Sequence, residues 1–325
     1  MGRNLSSFLQ WRFNISLYMI FGWKIAKILI LFLGRLYFYV NRDEKALIKN
    51  SVREVIGYSQ QKNNRIRETV KNIFMGILCH YYEKIFIAFE EPQKATKFLL
   101  NNIISDDINM LHEKLLKGKG VIIATGHYGA IEYIPTLLAI NSFPVSIIAK
   151  FKTRQLKKKV FDQAKKYNIK LIDGENKGNV FRSAIRELKE NRILVTQCDE
   201  IEEWRPSKNE KMSFLGRVTG VDRTINVIQK KTGSEVVFGI IHRYSLNNYR
   251  LILHDHEDRR LLDDASTCSV GETVLKFLEQ YIYANPEQWY QWKKYSEIRP
   301  FPGPDVVCGI PVSVPLLKPA FGGVS

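Results

Sequence analysis

Residues 121–140 read VIIATGHYGAIEYIPTLLAI. The run Val121 to Thr125 is short, apolar and β-branched, which suits a buried strand. Gly126 and His127 then make a turn, and the apolar residues beyond recur at helical spacing, predicting a helix over 129–140. A strand feeding directly into a helix is the unit of parallel α/β sheets. It puts His127 at the carboxyl edge of a sheet, where open α/β folds keep their clefts.

The same texture runs outward from this stretch. Apolar runs at 145–149, 169–173, 192–199, 236–243 and 249–255 predict further strands, and charged stretches at 153–167, 177–190 and 219–232 predict the helices between them. Residues 51–116 read as helical with a break at Pro92, and 271–285 as a final helix. The expected fold class is α/β: a mainly parallel central sheet flanked by helices, preceded by an N-terminal membrane-associated helix. The parse is 1–48 for the membrane-associated segment, 49–299 for the α/β domain, and 300–325 for a Pro/Gly-rich irregular tail.

The 325 residues carry 49 Lys+Arg against 33 Asp+Glu, a net charge of +16. That balance favours polyanionic partners such as an anionic membrane or an acidic protein. No box of interleaved aromatics and bases points to nucleic acid. Four cysteines, Cys79, Cys198, Cys268 and Cys308, have no CxxC spacing. They suggest neither a disulfide framework nor a zinc site. His254 and His256 share a strand face without further ligands, so no metal site is expected.

Residues 15–40, ISLYMIFGWKIAKILILFLGRLYFYV, are greasy but broken by Lys24, Lys27 and Arg35. The longest charge-free run, 13–23, has 11 residues, short of the about 20 that a spanning helix wants. On a helical wheel Lys27 and Arg35 fall within about 60° of Lys24. A basic stripe on an apolar helix fits an element lying in, or tilted through, an anionic interface.

His127 and Glu132 are five residues apart. On a continuous helix they would diverge by ~140°. If His127 precedes the helix, its ring is free to lean over the first turn and meet Glu132, with Gly126 and Gly129 keeping the approach uncrowded. The carboxylate would fix the tautomer, and the other nitrogen would act as general base. GxSxG, Walker and HExxH motifs are absent. A histidine–carboxylate pair without a protein nucleophile suits direct activation of a substrate hydroxyl, with backbone N–H groups at the helix start, or an Arg, meeting the oxyanion. The stretch KFKTRQLKKK (150–159) supplies six bases near the same cleft, with Lys150, Lys152 and Arg154 placed to grip a phosphorylated headgroup or an acidic carrier.

TGHYGAIE resembles the His-x4-Asp/Glu box of the glycerolipid and lipid A acyltransferases, and most of all the late acyltransferases of bacterial lipid A biosynthesis. The passage KLIDGENKGNVFRSAIRELKENRILVTQCDE, the box FLGR with its following helix, and NPEQWYQWKKY agree in order, over roughly residues 1–297. The resemblance implies transfer of a fatty acyl chain from acyl-carrier protein, or acyl-CoA, to a hydroxyl of a glycolipid at the cytoplasmic face of the bacterial inner membrane, with no further cofactor. It implies His127 as base, Glu132 as its orienting acid, and a substrate pocket lined by Tyr128, Gly129, Ala130, Asp199, Glu200, Phe214, Gly216 and Arg217. Three departures surround that pocket: Asp-Gln is Asp199-Glu200, Phe-Phe-Gly is Phe214-Leu215-Gly216, and Asn-Trp before the acid is Ala130-Ile131. The alternatives are a different lipid acceptor, a membrane-peripheral lipid-binding protein that leaves the pair unused, or a lipid hydrolase.

Overall fold

A computed structural model describes residues 16, 20–57, 63–151, 154–175, 177–245, 247–258 and 268–301. The tail from 302 and Lys152 lie outside them. Three helices open the described chain: α1 (Trp23–Val40), α2 (Arg42–Ile56) and α3 (Asn63–Phe89). Then follow α4 (Pro92–Asn102), β1 (Ile103–Ile104), α5 (Asn109–Leu115), β2 (Val121–Thr125), α6 (Ile134–Ile140), β3 (Val145–Ala149), α7 (Arg154–Lys166), β4 (Lys170–Asp173), α8 (Lys177–Lys189) and β5 (Ile193–Gln197). The chain continues through β6 (Pro206–Phe214), β7 (Arg217–Asp222), α9 (Thr224–Thr232), β8 (Glu235–Ser245), β9 (Asn248–Asp255) and α10 (Val270–Ala284).

Seven strands form one sheet in the order β1-β9-β8-β2-β5-β3-β4. Every pairing is parallel except β8 with β9. β2 is buried along its whole length, as its uninterrupted apolar run requires when both faces are covered. One helical layer joins α3 to α7 and α4 to α6, while in the other α9 contacts both α8 and α10.

The hairpin β6–β7 differs from expectation. FLGR does not lead into a helix, and the helix predicted over 219–232 begins only at Thr224. Phe214 pairs with Arg217 across a two-residue loop. Leu215 and Gly216 both have positive φ, 51° and 80°, the requirement of a type I′ turn, which matches strand twist. A leucine is costly there. It is held because its side chain is fully buried, its N–H donates to the Glu279 carboxylate, and its carbonyl accepts from Tyr295 Oη at 2.9 Å.

Burial pushes the Glu279 carboxyl up to about 7. A carboxyl raised in the folded state stabilises fully below its unfolded value and loses that contribution as pH rises through about 7. The Glu279 contribution to the unfolding free energy, measured in urea, should therefore slope down between about pH 4.5 and 7, by up to about 3 kcal/mol. Glu279→Gln, which keeps an acceptor for Leu215, should flatten that slope.

No helix among the described residues is long and apolar enough to cross a membrane. α1 packs Ala26 and Ile30 inward, and Gly34 sits against Leu78 of α3. Its other side exposes Ile25, Ile28, Phe32, Leu36 and Tyr39 at helical spacing. Lys27 does not share an outward basic stripe: its Nζ lies 5.4 Å over the Tyr82 ring, and burial lowers its pKa.

Candidate active site

β2 and β5 pair in register, Thr125 opposite Gln197. His127 lies two residues past the end of one strand and Asp199 two past the end of the other. The register therefore brings them together at the carboxyl edge. Between His127 and the helix predicted from 129, the chain is irregular. A short 3-10 turn at Ile131–Tyr133 precedes α6.

The irregular turn is stitched down. Gly129 N–H donates to the Gln288 carbonyl at 2.9 Å and Ala130 N–H to the Ile241 carbonyl at 2.9 Å. Tyr290 N–H donates to the His127 carbonyl at 3.1 Å. The buried Arg243 guanidinium donates to Glu83 at 2.7 and 2.8 Å and to the Gly129 carbonyl at 2.8 Å. Gly129 has φ +57°, and a Cβ there would meet the Ile241 carbonyl oxygen at 2.0 Å. Gly129→Ala is expected to lose about 1–3 kcal/mol from backbone strain alone, and to displace His127. Thermal melts with a parallel activity assay check both effects.

Asp199 is fully buried and accepts three hydrogen bonds at 2.8 Å each: from the His127 backbone N–H, from His127 Nδ1 and from Trp289 Nε1. Burial raises its pKa, but the His127 ring and the remaining donors more than reverse this, so the carboxyl sits below its ordinary value. The converse holds for His127. Burial lowers its pKa, yet Asp199, by charge and hydrogen bond, and then Glu200 lift it above the ordinary 6.5. With Nδ1–H donated to the Asp199 carboxylate, neutral His127 keeps its lone pair on Nε2. Nε2 lies 3.5 Å from Glu200 Oε2. The Tyr290 ring meets the imidazole edge-on at 5.6 Å.

The carboxylate against the imidazole is thus Asp199. Glu132 turns the other way, with Oε1 3.1 Å from Lys84 Nζ and 3.7 Å from His80 Nε2. The physical reason is the 3-10 turn, which aims residue 132 at α3 and away from the ring. The expected oxyanion donors at the helix start are also committed. The N–H groups of His127, Gly129 and Ala130 bond as above, and that of Tyr128 donates to the Gly126 carbonyl at 2.7 Å.

His127 and Glu132 both line a cavity of about 960 Å³. Ile147, Leu156, Val160, Ala164, Phe181 and Ile228 are among the apolar residues along its walls. Among the described residues, six acidic side chains (Glu132, Glu175, Glu200, Glu202, Glu203, Asp222) and six basic ones (Lys84, Lys150, Arg205, Arg223, Lys293, Lys294) also line it. Lys150 lines the cavity and pairs with Glu203 at 2.7 Å. Arg154 is exposed at the start of α7 and is not a lining residue.

Tyr128, Gly129 and Ala130 form the floor behind the imidazole and do not line the cavity. Tyr128 is buried, with its hydroxyl 2.9 Å from His242 Nδ1. Phe214 packs against Trp204 and Trp289, again behind the site. Gly216 forms the hairpin turn, and Arg217 is spent on Glu54 at 2.8 and 3.0 Å over the Tyr295 ring. These three support the site from outside the cavity because FLGR is a hairpin, not a helix entry. Among the described residues no group of three His, Cys, Asp or Glu is placed to hold a metal ion. Cys79 and Cys198 are buried and free.

His80, Lys84, Trp289, Tyr290 and Lys294 were not singled out from the sequence. His80 and Lys84 stand at i and i+4 on α3, a polar pair on an apolar helix that marks one face. Burial and the Lys84 charge push His80 well below its ordinary pKa. The last three residues lie in NPEQWYQWKKY.

A comparison with curated proteins gives no match. A strand-end histidine tied to a carboxylate beside a partly apolar cavity suits lipid chemistry, and the family comparison agrees. Residues 3–294 match the model of the bacterial lipid A biosynthesis acyltransferases, and the chain belongs to that family.

Proposed function

We propose that this protein moves a fatty acyl chain from a carrier thioester, acyl-carrier protein or acyl-CoA, to a hydroxyl of a lipid A-like or related glycolipid, with His127 as general base. The observation that carries the reading is the 2.8 Å contact of His127 Nδ1 with Asp199 Oδ1 beside a cavity with apolar walls. His127 Nε2 takes the hydroxyl proton, the oxygen attacks the thioester carbon, the C–S bond breaks, and the imidazolium returns its proton to the thiolate. Since the backbone N–H groups of 127–130 are committed, the oxyanion is assigned to Lys294, a cavity cation whose charge is felt at His127. The exposed apolar stripe of α1 supports a setting on a membrane surface with Arg35 toward the headgroups, and the cytoplasmic face of a bacterial inner membrane is the location proposed for it.

The test is the product. Lipid extracts of cells expressing wild type or His127→Ala are compared by mass spectrometry. One added acyl group on a glycolipid with wild type only is expected. Free fatty acid without that gain would mean hydrolysis, and identical extracts would defeat the reading.

A further inference from the structure

We propose that the acceptor carries a cationic nitrogen beside the hydroxyl it gives up, and that Glu200 is the residue that reads it. This rests on the reading of His127 as the base. Neutral His127 presents a lone pair at Nε2, and Glu200 Oε2 stands 3.5 Å away. Two acceptors then face one another with no proton between them. A substrate fills that gap with two donors: the reacting hydroxyl on Nε2 and an N–H on Glu200. The Glu200 side chain is 31% exposed and lines the cavity, so it is within reach of a bound lipid headgroup.

Charge selects a cation over a second hydroxyl. Among the described residues, the charges set against the neutral ring are Asp199 and Glu200, opposed by Lys294, which is 3.7 Å from Glu200 and is shared with Glu202 at 3.1 Å. The neighbouring lysines are already matched: Lys84 with Glu132, Lys150 with Glu203, and Lys293 with Glu44. Arg205 and Arg223 line the cavity beside Asp222, whose Oδ1 accepts from the Arg205 backbone N–H at 2.8 Å. The reactive form of the site is therefore locally anionic. Tyr290 and His80 also face the ring's surroundings, but both stay neutral, since burial pushes the tyrosine up and the histidine down. A bound ammonium offsets the excess and favours the neutral imidazole. It remains protonated against the carboxylate, so oxygen rather than nitrogen is acylated. Atoms balance as before: one proton passes from hydroxyl to Nε2 to the leaving thiolate.

The test uses the full chain in detergent–phospholipid micelles and two probes, sphinganine, which has an amine beside a hydroxyl, and N-acetylsphinganine, in which that amine is an uncharged amide. Equilibrium binding is the primary readout. Wild type should bind the amine at least about tenfold more tightly, the worth of one charge-assisted hydrogen bond, and Glu200→Gln should bring the two affinities together. Equal binding of both probes by wild type, or an undiminished preference in Glu200→Gln, overturns the proposal. His127→Ala should keep the preference in binding. Transfer from an acyl-carrier-protein thioester that survives in His127→Ala would defeat the base assignment and leave the amine preference standing, so the two failures are distinct.

Discussion

Asp199→Asn is expected to lower kcat for acyl transfer by about 10³–10⁴-fold, the scale seen when a buried carboxylate behind a catalytic histidine becomes an amide. The geometry dictates the direction. Asp199 Oδ2 accepts from the His127 N–H and Trp289 Nε1, so an asparagine must place its amide oxygen there. Its NH₂ then faces Nδ1. The ring is forced to carry its proton on Nε2, where a base needs a lone pair. The fold should tolerate the change, because every donor on the Oδ2 side keeps its acceptor. Single-turnover rates with a thermal melt on the same sample check this. Glu132→Gln should cost far less, since Glu132 touches Lys84 and His80 and not the ring. Equal losses in the two variants would return the orienting role to Glu132. The pH profile gives a second reading. A general base must be neutral, and Asp199 and Glu200 hold His127 above 6.5. Wild-type kcat/KM, which reports the free enzyme, should therefore rise with pH through a midpoint above 6.5, and Glu200→Gln should move that midpoint down.

Arg243→Met is expected to cost about 3–5 kcal/mol, because it strands Glu83 in the core without its partner. The Glu83 side chain has no exposure, and burial already raises its pKa despite the guanidinium. Without Arg243 the carboxyl takes up a proton more readily. A raised carboxyl is most tolerable at low pH, so the defect in the urea midpoint should be smaller in mildly acid buffer and grow as pH rises. The double variant Glu83→Leu/Arg243→Met should recover much of the stability. It should not recover activity, because the Gly129 carbonyl loses the donor that holds the histidine turn. Stability and function would then part company in one pair of residues.

The sequence by itself determined six of the seven strands of the sheet and most of the helices around it, while β1 lies inside the stretch 51–116 read as helical. VIIAT and VSIIA are strands at the residues read from their apolar runs, because a buried parallel strand has no polar face to blur its ends. It also placed His127 at a strand end, and the bounds of α7, α8 and α10 lie within one residue of those expected. The hairpin β6–β7 was not legible. Its strand β6, PSKNEKMSF, is polar, and its turn carries a leucine where glycine or asparagine would announce positive φ. Nor was the partner of His127. Glu132 is near in sequence, while Asp199 lies 72 residues away and meets the ring only through the register of β2 against β5. Local pattern fixes where a chain turns and which face it buries. Which two turns share an edge is set by strand pairing across the whole domain, and here that pairing, not spacing along the chain, chose the acid beside the ring.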